Sequence, residues 1–442
     1  MRIIDYIIEH AHSHPQHMAV VCEGQEVTYG ELWQCIQKKA DQLVQDGLAA
    51  NQPHVFRSSQ SIDFIVTYFA VHRIGAVAVP LERDIPDNML CEIEQRVKHA
   101  QIAPNTADIL FTTGTTGRSK GVMISHQALM ANTDNLIQGQ GFSSDLLFII
   151  SGPLNHIGSL SKVFPIMQLG ATLYITEGMK DIDGFFRAMD YSTGRIATFL
   201  VPANIRILLQ FCSKRLAEYA KKIDFIETGA AAIAQNDMEA LCQILPYTRL
   251  YNTYASTETG IICTHDYNHS LCQAGCLGRP MPHSRIYITE NGLLACQGET
   301  LMSGYIDDEV MTQQMLHDGT VFTNDRGRID EEGRLHLLGR IDDIINMGGY
   351  KINPQEVESA AMTFPTLVDC ICTTSHHPVL GTILRLLVVL REGETLNKRQ
   401  LALHIASQLE RYKVPQVYEQ VPSIRRTYNG KLDRKYYNNS IS

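Results

Sequence analysis

The stretch Asp108-Ile-Leu-Phe-Thr-Thr-Gly-Thr-Thr-Gly-Arg-Ser-Lys-Gly-Val-Met-Ile-Ser-His126 carries the strongest structural signal in this chain. Its apolar residues 109–111 predict a strand, and a helix is expected to begin near His126. Between them lies a loop of Gly and hydroxyl residues, followed by Lys120. Because Gly lets successive backbone N–H groups turn inward, such a loop forms an anion-binding nest. The hydroxyl donors and the charges of Arg118 and Lys120 strengthen this interpretation, so the stretch predicts a polyphosphate site.

This loop is not a Walker A loop, because no Gly immediately precedes Lys120 and neither Ser nor Thr follows it. The alternative is a flexible turn without a ligand. The residues predicted to bind phosphate are Thr112, Thr113, Gly114, Thr115, Thr116 and Lys120.

The bulk composition indicates a globular protein with more than one domain. The chain has 442 residues, of which 44% are hydrophobic and 19% charged, and this length exceeds that of a single ordinary core. There are 38 Lys and Arg against 47 Asp and Glu, which gives a net charge of −9. Without a long basic run, a nucleic acid is not expected as the main partner.

Targeting and cysteine patterns favour a reduced, cytoplasmic setting. The N-terminus lacks the apolar region of a secretory signal, and no apolar run reaches the roughly 18 residues of a membrane span. The chain contains 11 Cys without framework spacing, which is typical of reduced thiols. The pairs Cys370/Cys372 and Cys272/Cys276 are interpreted as buried thiols, with metal binding as the alternative. A solvated helix end is likewise preferred to a metal site for the cluster His10, His12, His14 and His17.

Hydrophobic periodicity predicts an α/β fold. The first forty-odd residues predict a helix, a hairpin with a turn at Gly24 and a second helix. Further along the chain, a helix is predicted at 64–74 and strands are predicted at 76–80, 147–151 and 171–176. A boundary is expected at Gly339–Asp342, which divides the chain into a large domain, 1–338, and a small domain, 339–442, with segments 383–390 and 401–409.

The order of motifs from Val77 to Lys431 resembles that of the adenylate-forming superfamily. Its members include acyl-CoA and aryl-CoA ligases, such as the succinylbenzoate and coumarate ligases, and adenylation domains of peptide synthetases. The resemblance implies a large multi-sheet N-terminal domain and a small mobile α+β C-terminal domain. It also implies ATP, Mg²⁺ and coenzyme A as cofactor and co-substrates.

In the segment Asn252-Thr-Tyr-Ala-Ser-Thr-Glu-Thr-Gly260, the resemblance assigns three roles. Tyr254 would lie against adenine, Thr257 would touch the α-phosphate, and Glu258 would hold Mg²⁺. A carboxylate suits this ion, because Mg²⁺ prefers hard oxygen ligands shared with phosphates. Ala255 stands where Gly is more usual in the family and would narrow the pocket.

Further nucleotide contacts are implied on both sides of this segment. The turn Gly229, Ala230 and Ala231 would border adenine and substrate. Asp325 would accept hydrogen bonds from the ribose hydroxyls, and Arg340 would contact ribose and phosphate. Asp342 would be the hinge of the small domain.

The small domain carries two more signatures by resemblance. Residues 346–358 match a Gly-rich loop in which Gly349 and Lys351 would line the tunnel for the thiol donor. Arg425-Arg-Thr-Tyr-Asn-Gly-Lys431 would present Lys431 at a loop tip as the catalytic lysine. A solvated lysine is the alternative for this position.

The implied reaction has two steps. A carboxylate attacks the α-phosphate of ATP to give an acyl-adenylate and pyrophosphate, and a thiol then displaces AMP to give a thioester. The first step depends on positioning and charge stabilisation, since two anions must meet. Rotation about Asp342 would exchange Lys431 for the Gly349 loop between the steps.

The substrate is left open as a carboxylic acid. Pro153-Leu-Asn-His-Ile-Gly-Ser159 resembles the pocket segment of aryl-CoA ligases, in which His156 would gate the carboxylate; a core histidine that caps a loop is the alternative. The chain is shorter than the family leads us to expect between residues 81 and 108, which affects the acyl pocket and the docking surface. A carrier-protein ligase and an inactive nucleotide-binding regulator remain alternatives, and the oligomeric state stays open.

Overall fold

The structure is a computed structural model of the chain and describes residues 1–112, 119–192, 194–347, 350–377, 381–427 and 431–439. Within these residues the α-helices are α1 (Ile3–Ser13), α2 (Tyr29–Gln45), α3 (Ile62–Ile74), α4 (Asp87–His99), α5 (His126–Gln140), α6 (Ile157–Leu169), α7 (Ile182–Tyr191), α8 (Pro202–Phe211), α9 (Ser213–Glu218), α10 (Gln235–Ile244), α11 (Glu309–Met315), α12 (Pro354–Met362), α13 (Lys398–Ala406) and α14 (Arg434–Asn439). Two 3₁₀ turns span Ile341–Asp343 and Arg411–Lys413.

The strands of the large domain are β1 (Met18–Cys22), β2 (Gln25–Thr28), β3 (Pro53–Arg57), β4 (Val77–Leu81), β5 (Thr106–Thr112), β6 (Lys120–Ser125), β7 (Leu146–Ile150), β8 (Thr172–Ile175), β9 (Arg195–Leu200), β10 (Ile223–Thr228), β11 (Arg249–Ser256), β12 (Gly260–Asp266), β13 (Cys276–Pro280), β14 (Ser284–Ile288), β15 (Leu293–Gly298), β16 (Gly304–Tyr305), β17 (Leu316–His317), β18 (Thr320–Ile329) and β19 (Leu335–Arg340). Those of the small domain are β20 (Ile345–Met347), β21 (Tyr350–Ile352), β22 (Leu367–His377), β23 (Gly381–Leu390) and β24 (Val417–Gln420).

The described strands form two sheets in the large domain and two in the small one. The larger sheet has the order β14-β15-β18-β19-β13-β12-β11-β10-β9-β7-β8-β1-β2, with β17 paired to β18, and its centre from β11 to β1 is parallel. The second sheet has the order β16-β6-β5-β4-β3. The small domain contains β20-β21 and β22-β23-β24. This arrangement confirms the predicted α/β fold with a smaller C-terminal domain.

The core of the large domain consists of helices layered on the two sheets. Phe148 of β7 and Phe164 of α6 belong to one buried cluster with Val122 of β6, which places α6 between the sheets. A second cluster joins the other face of the larger sheet to α7, α8 and α10. Strands such as β7 are buried along their whole length, as expected for parallel strands covered on both faces.

Several predicted elements are confirmed, and one was missed. The helix predicted at 64–74 corresponds to α3, and the strands predicted at 76–80, 147–151 and 171–176 correspond to β4, β7 and β8. Strand β6 was not predicted: it pairs antiparallel with β5, so a hairpin precedes α5 at His126. Within the described ranges, no helix has both the length and the apolarity to cross a bilayer.

The structure also shows where the cysteine pairs and His10 of the histidine cluster lie. All 11 cysteines are free thiols, with Cys276, Cys370 and Cys372 buried and Cys272 half-buried. In the described part of the chain, no group of three or more His, Cys, Asp or Glu residues is arranged to hold a metal ion. The His10 ring lies 3.0 Å from the carbonyl of Gln168, where α1 packs on α6.

Candidate active site

The predicted site residues follow the carboxyl ends of the central parallel strands. Gly229 comes directly after β10, Glu258 follows β11, and His156 follows β7. In open α/β sheets this edge is where ligands bind, because the loops that leave adjacent parallel strands converge there. The fold therefore brings together segments that are far apart in sequence.

The predicted phosphate loop lies between the two strands of the β5–β6 hairpin. Thr112 pairs with Lys120 in the antiparallel register, so the two ends of the loop lie side by side. Thr113, Gly114, Thr115 and Thr116 lie outside the described residues. Both described ends are half-buried.

Tyr305 connects the phosphate loop to the predicted magnesium ligand. The Lys120 ammonium lies 5.6 Å from the centre of the Tyr305 ring, within the range of a cation–π contact. The Tyr305 hydroxyl donates a 3.0 Å hydrogen bond to Glu258 Oε1. Burial and the negative charge of Glu258 raise the pKa of Tyr305, so the phenol stays protonated and keeps donating. Neighbouring Thr257 is half-buried in the turn after β11.

The Glu258 carboxylate has the donor chemistry that a magnesium ion requires. Tyr305 engages Oε1, and the side chain is half-buried at the mouth of the cleft. Mg²⁺ commonly binds one or two carboxylates and completes its shell with water and substrate phosphates. The residues present therefore fit such an ion at Glu258.

A second cluster joins the predicted ribose residues. The Tyr254 hydroxyl donates a 2.6 Å hydrogen bond to Asp325 Oδ2. Arg340 pairs with Asp325 across β18 and β19, and its Nε lies 3.5 Å from Asp325 Oδ1. Burial and the adjacent Asp325 charge raise the pKa of Tyr254 well above its usual value. Tyr254 is only 7% exposed and packs in the core beside β12 and β15, and its predicted contact with adenine stays a prediction.

Lys431 of the small domain reaches the same cleft. The backbone N–H of Thr427 donates a hydrogen bond to the carbonyl of Lys431 at 2.8 Å. Arg426 forms an isolated antiparallel β-bridge with Leu432, so Lys431 lies on the second arm of a short hairpin, here called the Lys431 hairpin. Surrounding protein atoms lower the pKa of Lys431 although its side chain is exposed. The charge of Arg340 lowers this pKa further, whereas Asp325 and Glu258 raise it. These four charged groups therefore act on one another within one cleft.

The turn after β10 brings the backbone close to β11. A Cβ atom on Gly229 would lie 3.1 Å from the carbonyl oxygen of Thr253, so this position accommodates a side chain poorly. Ala230 has a φ of 66°, a left-handed conformation that costs a non-glycine residue about 1–2 kcal/mol. Ala231 is half-buried beside it. The turn is therefore held close to β11, and its role beside adenine and substrate stays a prediction.

His156 occupies the N-cap position of α6 in an extended conformation, with φ −110° and ψ 140°. Its carbonyl accepts the N–H of Leu160 at 2.8 Å. The residue is half-buried, at the point where the chain enters the helix between the two sheets.

The predicted hinge residue Asp342 lies at the junction of the domains, and the predicted tunnel residue Lys351 lies in the small domain. Asp342 sits in a 3₁₀ turn, where Asn324 donates to its Oδ2 at 3.1 Å and Arg340 lies 3.5 Å away. Lys351 is exposed on β21. Gly349 lies outside the described residues.

Sequence reasoning missed an ion-pair network between the domains. Arg206 on α8 contacts Asp237 on α10 at 3.0 Å and Asp369 on β22 at 3.0 Å. Asp369 also pairs with Arg426 at 2.7 Å, at the base of the Lys431 hairpin. The Asn236 amide adds a 3.3 Å hydrogen bond to the Met362 carbonyl. These contacts fix the small domain over the carboxyl edge of the large sheet.

Comparison with curated proteins finds acid–thiol ligases. The chain is 27% identical over 351 residues to "4-coumarate--CoA ligase-like 6" of Arabidopsis thaliana, a match that covers 75% of this chain and 62% of that relative. It is 23% identical over 477 residues to a "2-succinylbenzoate--CoA ligase" of Bacillus cereus, with 98% and 97% covered. It is 24% identical to "D-alanine--D-alanyl carrier protein ligase" of Bacillus licheniformis, with 98% of each chain covered.

Solved structures share the fold along the whole chain. The ATP-bound MatB of Rhodopseudomonas palustris superposes with a TM-score of 0.87 at 23% identity, covering 100% of this chain and 99% of that one. The o-succinylbenzoate CoA synthetase MenE of Bacillus subtilis, solved with its acyl-adenylate intermediate, gives a TM-score of 0.83 at 20% identity, with 98% and 97% covered.

Two family matches account for most of the chain. The family described as AMP-binding enzyme matches residues 7–104 and 94–306, and its C-terminal domain matches residues 356–431. The two parts of the first match overlap at residues 94–104, within the segment 81–108 that the sequence predicts to be shortened. The chain therefore belongs to the AMP-binding enzyme family of adenylate-forming ligases.

Proposed function

We propose that this protein activates a carboxylic acid with ATP and transfers the acyl group to the thiol of coenzyme A. The observation that carries the proposal is the convergence of Lys431, from the small domain, with Glu258, Asp325 and Arg340, from the large one. These residues provide cations for phosphate and carboxylate, an acceptor for ribose hydroxyls and a ligand for a divalent ion. The relatives that act on small acids with coenzyme A or a carrier protein support the same chemistry.

In the first step, a substrate carboxylate oxygen attacks the α-phosphorus of ATP, and the bond to the β-phosphate oxygen breaks. Lys431 is assigned to hold the carboxylate and an α-phosphate oxygen, which lowers the repulsion between two anions. Thr257 donates to the same phosphate, and the loop from Thr112 to Lys120 binds the β- and γ-phosphates. Glu258 would hold Mg²⁺, which would supply positive charge that offsets the charge of the phosphates.

Further residues hold the nucleoside and the acid. Asp325 accepts hydrogen bonds from the ribose, and Arg340 contacts ribose and phosphate. The turn at Gly229, Ala230 and Ala231 borders adenine together with Tyr254. His156 is placed at the entrance of the acid pocket.

In the second step, the thiolate sulfur attacks the acyl carbon, AMP leaves, and a thioester forms. For this step we assign Gly349 and Lys351 to the thiol tunnel and Asp342 to the hinge. The small domain, taken as residues 339–442, would rotate against residues 1–338. Lys431 would then leave the cleft, because Lys431 and Lys351 lie on separate elements of one rigid domain.

A carrier-protein ligase is the second candidate, because one relative is named as a ligase of D-alanine to such a carrier and aligns over 98% of this chain. It differs only in the thiol that accepts the acyl group. Supplying either coenzyme A or a phosphopantetheinyl carrier protein to the adenylated enzyme distinguishes the two. An inactive nucleotide-binding regulator stays a remote alternative, against which the retained Lys431, Glu258 and Asp325 argue. A cytoplasmic location and the oligomeric state stay open predictions.

Separate assays of the two half-reactions test the proposal. Lys431→Ala should lower acyl-adenylate formation by about 100-fold or more and spare thioester formation from supplied acyl-adenylate. The matched variant Lys351→Ala, in the same domain, should show the reverse pattern. Loss of both half-reactions in folded Lys431→Ala would contradict the division of roles. Absence of acyl-adenylate from wild-type protein that binds ATP would contradict the function itself.

A further inference from the structure

An ion pair is buried in the large domain between α6 and β10. The side chain of Lys162 is 0% exposed and that of Glu227 is 1% exposed. Lys162 interrupts an otherwise largely apolar helix, and Glu227 lies in a strand whose neighbours Ile226 and Thr228 are also buried. Nothing in the roles assigned above uses either residue.

The two charged groups are in direct contact, but one carboxylate oxygen lacks a well-aligned hydrogen bond. Lys162 Nζ donates to Glu227 Oε1 at 2.9 Å and to Ser161 Oγ at 3.3 Å. Glu227 Oε2 also lies 2.9 Å from the ammonium, yet it accepts no aligned hydrogen bond from any described residue. A buried carboxylate oxygen without such a bond is costly. The pair therefore retains the capacity to accept one more donor.

The pair lies on the two elements that lead into the proposed acid site, α6 and β10, and the inference rests on that proposed function. Lys162 follows Gly158 by four residues on α6, so both lie on one helix face, and this helix begins at His156. Glu227 lies two residues before Gly229. The ring of Phe199 links the two ends: it lies 5.4 Å from Lys162 Nζ and within 3.7 Å of a Cβ built on Gly229.

The Phe199 ring fills the space beside Gly158 on the same side. A Cβ atom there would come within 3.1 Å of the Phe199 ring. The Phe199 ring therefore lies between the start of α6, the backbone at Gly229 and the ion pair. Because Phe199 covers the ammonium, its ring would have to turn aside for a substrate to reach the pair.

Stability does not explain the pair. Burying two charges costs desolvation that their attraction seldom exceeds, and an apolar pair of similar volume commonly serves as well. The surrounding cluster is apolar and would accept such a pair. A role in binding a ligand explains better why a buried ion pair with one unsatisfied acceptor is present here.

We infer that Lys162 and Glu227 recognise a neutral hydroxyl group on the substrate, which makes the preferred substrate a hydroxy acid. A hydroxyl can donate to Glu227 Oε2 and accept from Lys162, so it completes the hydrogen bonds of both. The pair is neutral overall, so a second carboxylate or an ammonium group on the substrate would bring an unbalanced charge into a buried site. A hydrocarbon tail would leave Oε2 without a donor.

The test is acid-dependent ATP–pyrophosphate exchange with matched acids. One set is butyrate, 3-hydroxybutyrate, succinate and 3-aminobutyrate, and the other is benzoate with its hydroxyl derivatives. Wild-type protein is expected to use the best hydroxy acid with a kcat/KM about 100-fold or more above its unsubstituted partner, since a site built for a hydroxyl rejects the analogue that lacks it. It should discriminate against the diacid and the amino acid to a similar degree.

A paired replacement provides the second readout. Either single change would leave a buried charge alone, so Lys162→Met and Glu227→Leu are combined to keep the volume and remove both charges. The double variant should lose the hydroxyl preference, because an apolar pocket distinguishes such analogues only weakly. Circular dichroism and ATP binding report whether it is folded.

The outcomes separate this inference from the proposed function. Exchange that favours the unsubstituted acid, the diacid or the amino acid would overturn the inference and leave adenylation standing. A folded double variant that keeps the hydroxyl preference would also overturn it. No exchange with any acid by wild-type protein that binds ATP would overturn the proposed function, and the inference with it. If the double variant does not fold, the wild-type comparison alone decides.

Discussion

Replacing Asp369 by Asn is expected to weaken adenylation while leaving the thiol-transfer step intact. Asp369 lies 3.0 Å from Arg206 of the large domain and 2.7 Å from Arg426 at the base of the Lys431 hairpin. It therefore joins the large domain to the segment that carries the proposed catalytic lysine. Asn keeps the size of the side chain and removes its charge.

The magnitude follows from the burial of these pairs. The side chains of Arg206, Asp369 and Arg426 are 17%, 18% and 22% exposed. Ion pairs of this burial are intermediate between two known cases. An exposed pair stabilises a protein by about 0.2–1 kcal/mol, and breaking a fully buried pair costs about 3–5 kcal/mol. A loss of about 1–2 kcal/mol for the arrangement of the domains is therefore expected. Since 1.4 kcal/mol corresponds to a factor of ten, adenylation should fall about 5- to 30-fold.

The assay measures both half-reactions on the same preparation. Acyl-adenylate formation is followed by pyrophosphate release, and thioester formation is started from supplied acyl-adenylate. Glu419→Gln is the matched control, because it removes an ion pair with Arg385 that lies wholly within the small domain. The control should leave both half-reactions unchanged. The reasoning is refuted if folded Asp369→Asn adenylates at the wild-type rate, or if both half-reactions fall equally.

Three further changes test other parts of the structure. Because protein atoms and Arg340 lower the pKa of Lys431 below its ordinary 10.5, ATP–pyrophosphate exchange should fall as rising pH deprotonates this lysine, with a midpoint below that value in a pH–rate profile. Tyr254→Phe removes the 2.6 Å hydrogen bond to Asp325 and should lower the free energy of unfolding in urea by about 1.5–3 kcal/mol, the usual range for a bond to a charged acceptor. Asp108→Asn disrupts a fully buried carboxylate that accepts hydrogen bonds from Tyr68 at 2.7 Å and His72 at 2.9 Å, and it should cost about 3–5 kcal/mol in the same measurement.

A specific outcome would contradict each of these three predictions. If the exchange rate stays constant to pH 10.5 or above, the charge of Lys431 does not control the rate of adenylation. Unfolding of Tyr254→Phe at the wild-type urea concentration would mean that its hydroxyl is equally satisfied by water. Asp63→Asn serves as the control for Asp108→Asn, because its carboxylate is 78% exposed and lies 4.0 Å from Lys39; equal effects of the two changes would contradict the argument from burial.

Local patterns in the sequence were sufficient for many elements. The apolar run before the phosphate loop is β5, the helix near His126 is α5, and the first residues form a helix, a hairpin and a helix. These signals are short in range, since periodicity and turn residues act over a few neighbours. The intervening β6 was missed because its apolar residues follow Lys120 immediately and merge with the start of the helix.

The assembly of the cleft depended on partners that no local pattern reveals. Tyr305 reaches Glu258 across 47 positions, and Arg206 reaches Asp369 across 163. The motif resemblance named Glu258 but gave no reason to choose Tyr305. Lys162 did have a signal, a charged residue inside a largely apolar helix, and Glu227 had the same signal in a strand. Only the fold shows that these two charges meet.

The most direct test of the account is carboxylate-dependent exchange of labelled pyrophosphate into ATP, measured for wild-type protein and for Lys431→Ala across aryl, fatty, dicarboxylic, hydroxy and amino acids. The account predicts exchange with one class of acid by the wild-type protein and a loss of about 100-fold or more in the variant. Exchange that is absent from wild-type protein with intact ATP binding, or that persists undiminished in Lys431→Ala, would contradict it.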